Sequence, residues 1–237
     1  MAQGRGWLEN MASVFVPVHR DGHKFIAILG VATFIFYLLW SPLGILLALA
    51  TMFTAYFFRD PDRVVPLREG LVVSPADGKI AAIEKVYPPG EMGLGAGERT
   101  RVSVHLSIFD VHINRSPVAG EVSMAVYTPG RFLSAANDKA SEDNERRSMV
   151  ITTRSGAKIG VVQIAGLISR RIISFVEAGQ SIGIGERFGL IRFGSRVDVY
   201  LPEGQTALVA VGQRAIAGET VLADFKSTES EREAREV

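Results

Sequence analysis

Chemistry in this chain has to come from hydroxyls, carboxylates, histidine or lysine. None of its 237 residues is a cysteine, so thiolate nucleophiles, CxxC redox chemistry, disulfides and zinc ribbons are excluded. The histidines His19, His23, His105 and His112 are scattered and make no HExxH pair, so no metal is expected. His112 sits in Phe109-Asp110-Val111-His112-Ile113-Asn114-Arg115, flanked by apolar residues; alone, it fits a structural histidine as well as a catalytic one. His105 lies among Val102, Val104 and Leu106 and fits a hydrogen-bonded packing residue of a strand. Asp77, in Pro75-Ala76-Asp77-Gly78, has the setting of a turn aspartate that bonds local amides. Asp138-Lys139-Ala140 looks like a lipoyl-lysine tripeptide. A carrier lysine needs a tight hairpin between strands, whereas Lys139 lies in a polar stretch of charges and helix formers, which favours an exposed structural lysine.

The elements that must position these residues are short and β-rich. Gly70–Ser74, Lys79–Val86, Arg101–Ile108, Gly120–Tyr127, Met149–Thr153 and Lys158–Ile164 are β-branched runs punctuated by glycine and proline, the pattern of strands in a sandwich or barrel. The 24 glycines imply many tight turns. Helix is expected only around Leu133–Asn144 and in the polar tail from Lys226, which otherwise is a solvated end. Ser74-Pro75-Ala76-Asp77-Gly78-Lys79-Ile80 and Ser116-Pro117-Val118-Ala119-Gly120-Glu121-Val122 each set a proline turn and a glycine before a strand. Two such copies predict two related β motifs packed face to face, a grammar shared with biotinyl and lipoyl carrier domains.

A different texture precedes this mainly β (α+β) body. Phe25–Phe58 runs for 34 residues without a charge. As one helix it would extend about 51 Å, too long for a hydrocarbon core of about 30 Å. Ser41, Pro42 and Gly44 predict a break, leaving arms Phe25–Trp40 and Leu43–Phe58 of about 24 Å each. An apolar helical hairpin follows, spanning the bilayer or dipping into one leaflet. Arg20 and Lys24 precede it, and Arg59 and Arg63 follow, which puts both ends on the cytoplasmic face of the cell membrane. A cleaved signal peptide fits poorly, because the apolar run far exceeds an h-region of about 7–15 residues. The expected organisation is an N-terminal segment 1–24, a hairpin 25–58, a body 59–225 and a tail 226–237. Net charge is +1, from 26 basic and 25 acidic residues, which argues against a nucleic-acid partner.

The stretch Gly183–Pro202, with Phe193-Gly194-Ser195-Arg196 inside it, is far more specific. With Phe57-Phe58-Arg59-Asp60-Pro61, Ser74–Gly78, His112–Arg115, Asp138-Lys139-Ala140, Asn144-Glu145-Arg146, Gln163-Ile164-Ala165-Gly166 and Arg170-Arg171, it resembles the phosphatidylserine decarboxylase proenzymes, particularly their short archaeal-like bacterial branch. The resemblance covers nearly all of Phe57–Phe225. It makes Asp138–Ala140 a family segment rather than a lipoyl site.

The resemblance implies self-cleavage between Gly194 and Ser195. Ser195 becomes an N-terminal pyruvoyl group, and the two products, 1–194 and 195–237, stay associated. Gly194 has no Cβ, which permits unusual backbone geometry at the scissile bond. A serine hydroxyl needs a base, and His112 is the candidate general acid/base, with Asp77 as its orienting carboxylate. Many longer family members carry a second histidine three residues on; here that position is Arg115. The implied substrate is phosphatidylserine in membrane lipid, held as a Schiff base on the pyruvoyl group and released as phosphatidylethanolamine, with no metal and no pyridoxal phosphate. Arg115 and Lys139 are candidate partners of the headgroup phosphate, and a homo-oligomer is compatible with all of this. The alternative of another class is a noncatalytic, membrane-tethered β-sandwich adaptor or lipoyl-like carrier, which would stay uncut.

Overall fold

The computed structural model describes residues 16–130, 144–166, 171–192 and 195–230, with 232, 234 and 235. The expected helix around Leu133–Asn144, apart from Asn144 itself, falls outside them, as do Lys139, Arg170 and Gly194. Two compact units divide the chain, Met1–Asp62 and Arg63–Val237.

In the first unit the apolar run forms two helices, α1 (Arg20–Leu39) and α2 (Ser41–Phe57). The break falls at Trp40, which is extended, and Pro42 lies within the first turn of α2, where its missing amide hydrogen costs nothing. α1 begins five residues before the apolar run, because the His19 side chain accepts from the Asp21 amide and caps it. α1 is long and apolar enough to cross a membrane; α2 is shorter. The helices approach closely at Gly44, where a Cβ would collide with the Tyr37 backbone, and Thr33 Oγ1 meets Thr51 Oγ1 at 3.2 Å. Their outer surfaces expose Ile28, Phe34, Leu38, Leu39 and Leu46, the reverse of a water-facing helix pair. An antiparallel bridge, Val18 to Arg59, joins the two ends of the hairpin.

The second unit is mainly β, with one 3-10 turn at Gly90–Met92 among its described residues. Its strands are β1 (Leu71–Val73), β2 (Gly78–Val86), β3 (Arg99–Leu106), β4 (Ile113–Arg115), β5 (Gly120–Thr128), β6 (Arg146–Thr152), β7 (Lys158–Ala165), β8 (Ile172–Ser174), β9 (Ser181–Ile182), β10 (Arg187–Ile191), β11 (Ser195–Tyr200), β12 (Arg214–Ala215) and β13 (Val221–Asp224). Eight form one curled sheet in the order β12-β2-β3-β11-β7-β6-β5-β9; β4-β10-β8 and β1-β13 form two smaller sheets. Alternation along the strands sends Ile80, Val104, Leu106, Val122, Ile151, Val161, Val197 and Val199 into one buried core. The opposite face of β6, β7 and β11 buries Val150, Val162, Ile164 and Tyr200 beneath Met92 and Leu94.

The strand order is symmetric about the β11-β7 pair, and the predicted repeat is the reason. Ser74 Oγ donates to the Ala76 carbonyl at 2.8 Å, and Ser116 Oγ does the same to Val118 at 2.6 Å. Gly78 and Gly120 then enter β2 and β5 where an added Cβ would strike the carbonyl oxygens of His105 and Thr152. The second half of each repeat also matches. The Gly179 amide bonds to Val122 and the Val122 amide to Gln180; likewise Gly212 bonds to Ile80 and Ile80 to Gln213. Gly185 and Gly218 close the units on the carbonyls of Ser116 and Ser74.

The tail differs from the expected helix. Ser227–Ser230 has no helical structure, and Arg232 donates to the Leu208 carbonyl at 2.6 Å, so a side chain to body contact replaces helical hydrogen bonds.

Candidate active site

Ser195 is the first residue of β11, and its backbone pairs with Leu106 at the end of β3 and Ala165 at the end of β7. Each flank is built by local chemistry. Directly after Leu106 the chain makes a turn: the Asp110 amide bonds to the Ser107 carbonyl at 3.0 Å and the Ser107 amide returns to Asp110 Oδ2 at 2.8 Å. Arg214 of β12 pairs with Asp110 Oδ1. Burial opposes charge on Asp110, but the Ser107 hydrogen bonds and the Arg214 guanidinium together hold its carboxyl below the ordinary value.

This turn delivers His112, which is fully buried. Its Nδ1 lies 2.9 Å from the Asp110 carbonyl oxygen. A carbonyl only accepts, so in the neutral ring Nδ1 carries the proton and Nε2 is the basic nitrogen. The His112 carbonyl accepts from the Ile191 amide at 3.3 Å, which ties it to the last residue of β10, four positions before Ser195. Gly194 lies between them, outside the described residues.

On the other flank, Asn144 Nδ2 donates to the Ala165 carbonyl at 2.8 Å. The Ala165 amide donates to Glu145, whose Oε1 accepts from the Ile172 amide at 3.1 Å. Between β7 and β4, Gln163 Nε2 donates to Asn114 Oδ1 at 2.8 Å, while the buried Asn114 Nδ2 has no hydrogen-bond partner. A fully buried amide donor without an acceptor is costly and marks a place where an incoming polar group can be received. Gly189 leaves room for this pair, since an added Cβ would come within 2.8 Å of Gln163 Nε2 and the Ile173 carbonyl.

Asp77 lies at the entrance to β2, on the strand beyond β3. Its Oδ1 accepts from the Ala217 amide at 2.8 Å and its Oδ2 from Arg63 Nη2 at 2.7 Å. The amide it binds is thus 140 positions away rather than a neighbour in its own turn. Arg115 is buried, with its amide on the Pro75 carbonyl and Nη1 on the Gly185 carbonyl at 3.0 Å; both contacts join the two repeats.

His105 faces outward between Lys79 and Arg196 on the neighbouring strands. Burial, then the Arg196 charge, lowers its pKa. Arg196 Nη2 in turn donates to Asp198 at 3.1 Å. Burial raises the Asp198 pKa against the pull of Arg196, and burial together with Asp198 pushes Tyr200 up to about 12.

Asp110, Asn114, Asn144, Glu145 and Gln163 are the site residues that no role was assigned from sequence. The lone signal for Asp110 was its place three residues after Ser107, the spacing of a side chain-capped turn.

Residues 50–223 match the sequence model of a family described as phosphatidylserine decarboxylase. A phosphatidylserine decarboxylase proenzyme of Nitrobacter winogradskyi is 55% identical over 213 residues, covering 90% of this chain and 86% of that protein. One of Cereibacter sphaeroides is 54% identical over 224 residues, covering 94% of this chain and 97% of its own length. Both lie along the body that holds Ser195, His112 and Asp77 as well as the helices before it. The adaptor and carrier alternative therefore falls, and the chain belongs to the phosphatidylserine decarboxylase family of enzymes.

Proposed function

We propose that the chain is a self-processing, pyruvoyl-dependent decarboxylase that converts phosphatidylserine to phosphatidylethanolamine at the cytoplasmic face of the cell membrane. The observation that carries this reading is the position of Ser195 as the first residue of a central strand, one register step from the turn that carries His112. A cut before Ser195 severs no strand, and residues 195–237 keep β11 between β3 and β7, β12 on β2 and β13 on β1.

In maturation, His112 Nε2 takes the Ser195 hydroxyl proton, and the oxygen attacks the Gly194 carbonyl carbon. The peptide C–N bond breaks as the ester forms. Elimination frees the Gly194 carboxylate, and hydrolysis of the residue left behind takes up water and releases ammonia. The fit of this chain to a pyruvoyl group rests on two features: a basic Nε2 set by the Asp110 carbonyl and a buried amide donor at Asn114. Once formed, the group supplies an electron sink for loss of carbon dioxide from an amine-bearing headgroup. The imidazole then returns a proton to the carbon that lost carboxylate, and Asp77 steadies the turn before β2. Arg115 and Lys139 are the cations proposed for the headgroup phosphate, Arg115 with Nη1 already on Gly185.

Intact-mass measurement tests the reading. The wild type should appear as chains 1–194 and 195–237, the second lacking ammonia at its N-terminus, and Ser195→Ala as one uncut, inactive chain. An uncut wild type with full decarboxylase activity would overturn it. Protease access to the body in spheroplasts would overturn the cytoplasmic face.

A further inference from the structure

The turn that delivers His112 carries two large apolar side chains at its tip: Phe109 is 60% exposed and Ile108 39%. Exposed apolar residues at a turn need a reason, because polar side chains serve a solvated turn better. This tip is also held firmly. Asp110 closes it on Ser107, the Phe109 amide donates to Ser107 Oγ at 3.3 Å, and Arg214 of β12 pins Asp110.

Its surroundings are basic and apolar together. Arg214 keeps 70% of its side chain exposed, and Lys79, its register partner on β2, is exposed. The loop that precedes β12 exposes Val211, and the residue after β12, Ile216, is exposed as well. An apolar wedge rimmed by Lys and Arg is complementary to a bilayer with anionic headgroups, and the chain's own apolar hairpin keeps a bilayer at hand.

We infer that the Ile108–Phe109 tip inserts into the membrane interface and sets the mouth of the His112 site against the lipid. The inference rests on the reading of Ser195 and His112 as a site for a bilayer phospholipid. Because the rigid turn runs directly into the buried histidine, insertion of the tip brings the headgroup layer to the site without extracting the acyl chains from the bilayer.

The test uses the full chain reconstituted in phosphatidylcholine–phosphatidylglycerol vesicles. Trp7 and Trp40 are the two tryptophans; replacing both by Phe and introducing Phe109→Trp leaves one indole, at the tip. Bromine on the acyl chains should quench it. An indole unquenched by bromolipid overturns the inference, and one also shielded from aqueous iodide would put a protein surface there instead. A kinetic arm uses Phe109→Asp: the fraction of cut chain and turnover on detergent-dispersed phosphatidylserine should match wild type, while the apparent KM for vesicle-embedded phosphatidylserine rises roughly tenfold or more. An unchanged vesicle KM overturns the proposal. Quenching reads insertion whatever the chemistry, so its failure is distinct from failure of the pyruvoyl reading, which Ser195→Ala reports.

Discussion

The imidazole of His112 is oriented by the main chain of Asp110, two residues earlier: Nδ1 lies 2.9 Å from the Asp110 carbonyl oxygen, and the Asp110 carboxylate spends its own hydrogen bonds on closing the turn. The carbonyl that fixes this face of the imidazole is thus itself anchored by a side chain. His112→Ala should slow self-cleavage by about 10²–10⁴-fold, the usual worth of a positioned general base. A denaturing gel followed over hours reads it; wild-type rates of cleavage and of turnover in this variant would remove His112 from the mechanism.

Asp77 accepts from Arg63 and the Ala217 amide at once, and its removal leaves the buried Ala217 amide without this acceptor. Asp77→Ala should therefore cost about 1–3 kcal/mol of stability and slow maturation, whereas Asp77→Asn keeps an acceptor for Ala217 and should retain more of both. Denaturant midpoints and cleavage rates measured on the same preparations check this. Equal stability in the two variants would show that the Ala217 contact contributes nothing.

The parts of the fold that show in the sequence are those written in local pattern. β2, β3, β5, β6 and β7 are each seven or more residues long and rich in Val, Ile or Thr, and the Ser-Pro turns before β2 and β5 show as a repeat. β4, β8, β9 and β12 have two or three residues each, and their pairing is decided by residues far away in the chain. The Gly-Gln and Gly-Glu pairs at 179–180 and 185–186, matched at 212–213 and 218–219, hold the second half of the repeat, but nothing local distinguishes them from ordinary turns. The same limit hid Asn114 and Gln163, 49 positions apart. Ser195 and His112 stood out only through motif resemblance, because a lone serine and a lone histidine carry no pattern of their own.

His105 gives a pH dependence whose sign is fixed. Its folded pKa lies below the ordinary value, by burial first and Arg196 second, so the unfolded chain takes up a proton more readily. Its neutral form supports the fold above about pH 6.5, and that support declines as pH falls from there toward the lower folded pKa. Thermal melts from about pH 7.5 to about pH 5.5 should show wild type losing more stability than His105→Gln. Parallel curves would mean that the residue titrates alike in both states.

The two chains made by cleavage should behave as one folded body. Residues 195–237 are 43 of the 237. They supply a strand bonded on both sides, from Ser195 against Leu106 and Ala165 to Tyr200 against Arg101 and Gly160, along with the buried side chains of Val197, Val199, Leu201 and Leu222. Removing a central strand would open two sheet edges and uncover the core between the repeats, so dissociation should require unfolding of the larger chain. In non-denaturing chromatography with detergent the two fragments should co-elute and melt in one transition. Ser195→Cys offers a thiol for the same acyl shift, so slow cutting with retained co-elution is expected there. Fragments that separate at neutral pH without loss of the larger chain's β signal would contradict the central placement of β11.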